Sequence, residues 1–158
     1  MSMLDLSLYL ARSEIIDFDD TQVRLKANQL KQHANNEHEL IEGSFEFVRD
    51  DIRHSNDHGL YVINCSASDV LKQRAGYCFA KSHLLAALLR SNGIPTDFCY
   101  QRLSLDEHGS RFGLHGLNAV YIRSLVWYKL GPRGNKEGID AQFDPPESRL
   151  ALALNLPG

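Results

Sequence analysis

The spacing of apolar residues predicts helices in the first half of the chain. Residues 19–32 and 37–52 carry apolar side chains three to four positions apart, which is typical of amphipathic helices. Ser66 offers N-cap chemistry for a short helix that ends near Arg74. The segment from Cys78 to about Asn92 is apolar on nearly every side, which predicts a central, buried helix.

After Pro95 the apolar period changes from three or four residues to two, which is typical of strands. Three segments are predicted to form an antiparallel sheet: 97–105, 112–122 and 126–130. A short strand is also expected at 60–64, and one helical turn within 145–158. Helices followed by strands predict an α+β fold, expected as a single domain over residues 1–158.

Composition narrows the class of protein. The chain has 158 residues and a formal net charge of -3, so neither a nucleic acid nor an anionic membrane is expected as a partner. No apolar run approaches the roughly 20 residues of a membrane span, and the first residues do not resemble a signal peptide. The odd set of Cys65, Cys78 and Cys99, without C-x-x-C spacing, predicts at least one free thiol and a reducing, cytoplasmic compartment.

Cys78 is the predicted first residue of the central helix. The positive end of the helix dipole and the unpaired N–H groups there favour a thiolate, and Lys81 one turn later would add to this effect. The backbone N–H of Cys78 could also stabilise an oxyanion. The alternative is that Cys78 is only a small buried side chain at the start of a core helix.

His115 is the candidate partner base. It interrupts the apolar strand FGLHGLNAVYI, whereas His54 and the other histidines outside the central helix lie in polar stretches expected to be solvated. Alternation places His115 with Leu117 on the face that we expect to pack on the central helix. A cysteine and a histidine so placed are typical of nucleophilic catalysis, and a satisfied core histidine is the alternative.

Three blocks of the sequence resemble the short bacterial members of the transglutaminase-like superfamily. They read GYCFAKSHLLAALLRSNGIPTDFCYQRL, LHGLNAVYI and WYKLGPRGNKEGIDAQFDPPESRLA, and the resemblance runs from about Phe45 to Ala151. It implies a papain-like core in which helices pack on a small antiparallel sheet. It also implies a nucleophilic Cys78, its base His115, and an orienting carboxylate on the next strand.

The orienting carboxylate is absent from its expected position, because the family pattern places it at Gly131. A hairpin around Ser124 would also put His115 opposite residues 131–133, none of which is acidic. Asp140 is a candidate substitute if residues 131–138 make a tight excursion, and a backbone carbonyl or a water is another. Alternation places Asn118 on the face opposite to His115.

Two functions therefore stay open. The first is thiol-dependent acyl transfer on a peptide or carboxamide, by hydrolysis or transfer to an amine, without a cofactor. Gln101 and Tyr77 are candidate oxyanion or substrate-binding residues, and no metal site is expected at His54-x-x-x-His58, which reads as a loop. The second function is a catalytically inactive module that binds protein; the oligomeric state is not predicted.

Overall fold

Four α-helices dominate the first part of the chain, which the computed structural model describes for residues 5–152. They are α1 (Thr21–His33), α2 (Glu37–Glu46), α3 (Ala67–Gln73) and α4 (Cys78–Ser91), and a short 3-10 turn, Ser7–Leu10, precedes them. Helix α2 continues into a single π-helical turn, Phe47–Asp51, so the helix predicted for 37–52 changes its hydrogen-bond pattern partway.

Polar side chains cap the start of two of these helices. The Asp20 carboxylate accepts the backbone N–H groups of Gln22 and Val23, and the Ser66 hydroxyl accepts that of Asp69. These bonds satisfy donors that have no partner inside the helix. The predicted short helix after Ser66 is thereby confirmed.

The strands form three small sheets. β1 (Arg53–His54) and β2 (Ala75–Gly76) pair in parallel. The main sheet is antiparallel in the order β3-β4-β5, built from β3 (Thr96–Ser104), β4 (Phe112–Ile122) and β5 (Val126–Leu130). A final hairpin joins β6 (Gln142–Asp144) to β7 (Glu147–Arg149). The predicted bounds of β4 and β5 agree with the structure.

Two predicted elements are wrong. Residues 60–64 form no strand. The side chains of Tyr61 and Ile63 are both almost fully exposed, so the alternating apolar residues do not pack on the core. The helical turn expected around PESRLALAL is replaced by β7, because residues 147–149 pair with β6. The rest of that tail, 153–158, lies outside the described residues.

Helix α4 is the centre of the fold. It contacts α1, α2 and α3, and it also packs on β3 and β4, so that residues 80–89 are all buried. Gly116 of β4 permits the close approach, since a Cβ there would lie only 2.9 Å from the Phe79 Cα. Farther along, the Asn118 amide donates to the carbonyl of Ser82 at 3.0 Å. The strand face that carries Gly116 and Asn118 therefore contacts the central helix.

Candidate active site

The Cys78 thiol lies where the start of α4 meets β4. Cys78 is the first residue of the helix and is half-buried, and no side chain caps the helix at Tyr77. The backbone N–H of Gly116 points at the Cys78 Sγ, with 3.5 Å between nitrogen and sulfur. A helix N-terminus and a strand N–H thus both present positive dipole ends to the sulfur atom.

His115 precedes Gly116 in β4, so its backbone is next to the group that contacts the thiol. Its expected orientation toward α4 is wrong, because the helix packs on the alternate set of residues, Gly116 and Asn118. Six consecutive residues, 115–120, are buried, so both faces of this part of the strand are covered. Alternation then groups the side chains correctly without telling which group faces the helix.

The His115 ring has a low affinity for a proton. It is 5% exposed, and this burial lowers the pKa of His115, which the nearby positive charge of Arg133 lowers further. Within residues 5–152, no hydrogen bond joins the ring to Cys78. A neutral imidazole of this kind can take up a proton, whereas its charged form is disfavoured.

The position that lacks the carboxylate lies just beyond the β4–β5 ladder. The last pair is Asn118 with Leu130, so one further step of the register would put Gly131 opposite Leu117, on the strand face that carries His115, and Pro132 and Arg133 then form a turn. A Cβ added at Gly131 would meet only Leu150, at an ordinary distance of 3.8 Å. There is therefore room for a Cβ atom where the family resemblance expects an acid.

Asp140 is held elsewhere. Its carboxylate accepts bonds from Asn135 and Gln142 and forms an ion pair with Arg149 at 3.0 Å. Among the hydrogen bonds and ion pairs of residues 5–152, none joins Asp140 to His115. The structure therefore gives Asp140 a place within its own loop and the β6–β7 hairpin.

Lys81 lies fully buried one turn after Cys78. Its ammonium donates to the backbone carbonyls of Arg49 (3.2 Å), Ile52 and Arg133 (2.8 Å). Burial lowers the pKa of Lys81 to about 7. Its hydrogen bonds thus tie three chain segments to the central helix, which the sequence analysis did not foresee.

The Asp57 carboxylate near this lysine binds two cationic side chains. Arg133 donates to both carboxylate oxygens, at 2.7 and 2.9 Å, and Lys136 donates at 2.7 Å. Burial alone would raise the pKa of Asp57, but the bonds from Arg133 and Lys136 outweigh it and lower the pKa to about 2. His54, expected to be solvated, is 8% exposed, and burial together with the charge of Arg133 lowers its pKa to about 4.

Sequence reasoning missed this cluster because Asp57 is 76 and 79 residues away along the chain from its partners Arg133 and Lys136. The only local signal was the run of polar residues HSNDH, which contains His54 and Asp57. Such stretches are usually exposed loops, so it did not indicate a buried cluster. In residues 5–152 no group of three or more histidine, cysteine, aspartate or glutamate residues is placed to hold a metal ion.

The other two candidate residues lie on different elements of the site. Gln101 is directly opposite His115 in the β3–β4 register and is buried. The Tyr77 ring lies nearly parallel to that of Phe79, with centroids 6.2 Å apart, and edge-on to that of His54 at 6.0 Å. Gln101 thus belongs to the imidazole side of the site, and Tyr77 to the helix start.

Comparison with known families agrees with this architecture. The family model of the transglutaminase-like superfamily matches residues 24–132, and the chain belongs to that superfamily. The match ends one residue after Gly131, so it includes Cys78, His115 and the position without an acid. No curated protein matches the chain.

Solved structures show the same fold at low sequence identity. A protein from Cytophaga hutchinsonii described as a "Putative Cysteine Protease" aligns with a TM-score of 0.67 and 19% identity, over 84% of this chain and 43% of that one. The periplasmic domain of TgpA from Pseudomonas aeruginosa aligns with a TM-score of 0.58 and 16% identity, over 80% and 46%. The predicted papain/transglutaminase-like fold is confirmed, and the chain spans less than half of either structure.

Among residues 5–152, no helix is both long and apolar enough to cross a membrane.

Proposed function

We propose that the protein catalyses thiol-dependent acyl transfer on a peptide or carboxamide, with Cys78 as nucleophile and His115 as base. One observation carries the proposal: the Cys78 Sγ lies at the start of α4 and 3.5 Å from the backbone nitrogen that follows His115. Such a placement presents dipole ends to the sulfur and puts the backbone of a histidine next to it.

The reaction would run through a thioester. His115 takes the thiol proton, and the sulfur attacks the carbonyl carbon, forming a C–S bond and an oxyanion that the Cys78 N–H stabilises. The C–N bond then breaks as the imidazolium returns its proton to the leaving amine. Water or a second amine attacks the thioester, giving its proton to His115 and expelling the thiolate.

The low pKa of His115 suits the first of these steps. Because burial and the charge of Arg133 lower that pKa, the ring is neutral at pH 7 and ready to accept a proton. The same effects disfavour the imidazolium, which predicts slow turnover and activity that persists to mildly acidic pH.

The test is the rate of Cys78 alkylation by iodoacetamide as a function of pH, read by mass mapping. The exposed Cys65 and the half-buried Cys99, whose pKa is raised by burial, serve as internal controls. We expect Cys78 to react faster than Cys65 below pH 7, and His115→Ala to lower that rate by about a hundredfold. The exposed His108→Ala is the matched control. Equal rates for Cys78 and Cys65 in the unaltered protein would contradict the proposal.

A second candidate is a catalytically inactive binding module. It is favoured by Gly131, which leaves no acid beside His115, and by Arg133, whose charge opposes the imidazolium. Gly131→Asp separates the two functions, because a Cβ atom at this position meets no closer neighbour than Leu150. A weakened enzyme should gain about tenfold or more in thiol reactivity, and Gly43→Asp on α2 should not. An unchanged, slow thiol in Gly131→Asp would favour the binding module.

The proposal places this chemistry in the cytoplasm. Cys65, Cys78 and Cys99 are all free, and an exposed thiol such as Cys65 is most easily kept in a reducing compartment. Trapping free thiols in intact cells tests this, since oxidised Cys65 in the native compartment would contradict it.

A further inference from the structure

Gln101 is a buried amide without a partner. Its side chain is 8% exposed, and neither its Nε2 nor its Oε1 has a hydrogen-bond partner within the described structure. Buried polar groups are nearly always paired, and leaving one unpaired costs about 1–3 kcal/mol. An amide with both ends free therefore requires an explanation.

The residue directly opposite Gln101 is His115. The two are paired in the β3–β4 register, so their side chains stand on the same face of the sheet. Directly opposite residues of an antiparallel pair have Cβ atoms roughly 4.5–5.5 Å apart, which a glutamine side chain can span by a rotamer change. Among residues 5–152, no other side chain forms a hydrogen bond with the Gln101 amide, so both of its ends are free to turn toward His115.

We propose that Gln101 is the positioning residue for His115 and takes the place of the carboxylate expected at Gly131. Its Oε1 accepts the N–H of one imidazole nitrogen, which fixes the tautomer and leaves the other nitrogen for the thiol. The inference rests on the proposed role of His115 as a base.

A neutral amide suits this environment. The burial of the ring and the positive charge of Arg133 lower the pKa of His115 and so disfavour its protonated form, and a neutral imidazole needs an acceptor for a single N–H. An amide supplies that acceptor without burying another charge. Gln101 is on the imidazole side of the site, whereas an oxyanion would form at the Cys78 N–H, so this role differs from oxyanion stabilisation.

The test combines two measurements on the full-length protein. ¹⁵N NMR of the imidazole reports the His115 tautomer without any need for activity, and the pH profile of Cys78 alkylation reports the working pair. We expect Gln101→Leu to leave a mixture of tautomers and to slow alkylation about tenfold at pH 7, as for the loss of one hydrogen bond. The exposed Gln32→Leu on α1 is the matched control and should change neither.

Two further variants sharpen the test. Gln101→Glu should keep a single tautomer and move the acidic limb of the alkylation profile to higher pH, because a carboxylate stabilises the imidazolium. Adding Gly131→Asp to Gln101→Leu should restore the alkylation rate. Restoration would also show that Gln101→Leu still folds.

A single, unchanged tautomer and an unchanged alkylation profile in Gln101→Leu would overturn the inference. So would slower turnover of substrate with the same tautomer, since that would indicate an oxyanion donor instead. Failure of the proposed function appears differently, as a Cys78 that reacts no faster than Cys65 in the unaltered protein. The tautomer measurement would still decide whether Gln101 orients His115.

Discussion

The polar groups on the two sides of the α4 N-terminus differ in how completely they are paired. On one side, Lys81 and Asp57 make three hydrogen bonds each, to carbonyls and to cations. On the other, Gln101 is paired with His115 in the β3–β4 register, and both polar atoms of its buried amide lack a hydrogen bond within the described residues. The first side is not complete, since the buried His54 Nδ1 near Asp57 has no hydrogen bond within the described residues. Paired groups hold a structure together, whereas unpaired ones keep donors and acceptors available. We therefore expect the Lys81 and Asp57 side to contribute mainly to stability, and the Gln101 and His115 side mainly to reactivity.

Removing Lys81 should have the largest effect on stability. Lys81→Ala leaves three buried carbonyls without their donor and opens a cavity, so we expect a loss of about 3 kcal/mol in the free energy of unfolding. Urea unfolding measures the loss. Lys72→Ala, on the exposed side of α3, should change stability by less than about 0.5 kcal/mol. A similar small change for Lys81→Ala would mean that its hydrogen bonds do not brace the fold.

Filling the contact between α4 and β4 should have an intermediate effect. Gly116→Ala puts a methyl group 2.9 Å from the Phe79 backbone, so the helix start must move away, at a cost of about 1–3 kcal/mol. The shift should also slow Cys78 alkylation, because it separates the thiol from the Gly116 N–H. Gly113→Ala meets only the end of the exposed Leu105 side chain and is the matched control. Equal behaviour of the two variants would contradict the tight packing.

The smallest predicted effect is a pH-dependent contribution from Asp57. Its folded-state pKa of about 2 is below the ordinary value, so its stabilisation is present above about pH 4 and disappears as the pH falls toward 2. Asp57→Asn should therefore cost about 1 kcal/mol at pH 7 and almost nothing at pH 2, after allowance for solvent screening. Thermal unfolding across this range measures the difference. The exposed Glu107→Gln should show no such pH dependence, and equal losses for Asp57→Asn at both pH values would refute the ion-pair explanation.

The sequence predicted the elements well where periodicity was clear. The bounds of β4 and β5 followed from alternation, and α4 from its long apolar segment with Gly93 beyond its end. The hairpin register followed from those bounds, and with it the absence of an acid next to His115.

Periodicity failed where both faces of an element are covered or where neither is. The run of buried residues 115–120 conceals which face of β4 meets the helix, while residues 60–64 alternate without any strand to pair with. The partners of Lys81 and Asp57 come from distant segments, which no local pattern indicates.

The contact between Gly116 and Cys78 also has a consequence for how the protein is made. Their positions are 38 residues apart in a chain that ribosomes synthesise from the N-terminus. Helix α4 can form from local contacts as it emerges, whereas β4 must be synthesised and docked before any histidine approaches the sulfur. The nascent chain therefore carries a cysteine that lacks its base. On our proposal, the Cys78 thiol therefore gains its base, and with it its reactivity, only after β4 has packed on α4 late in folding.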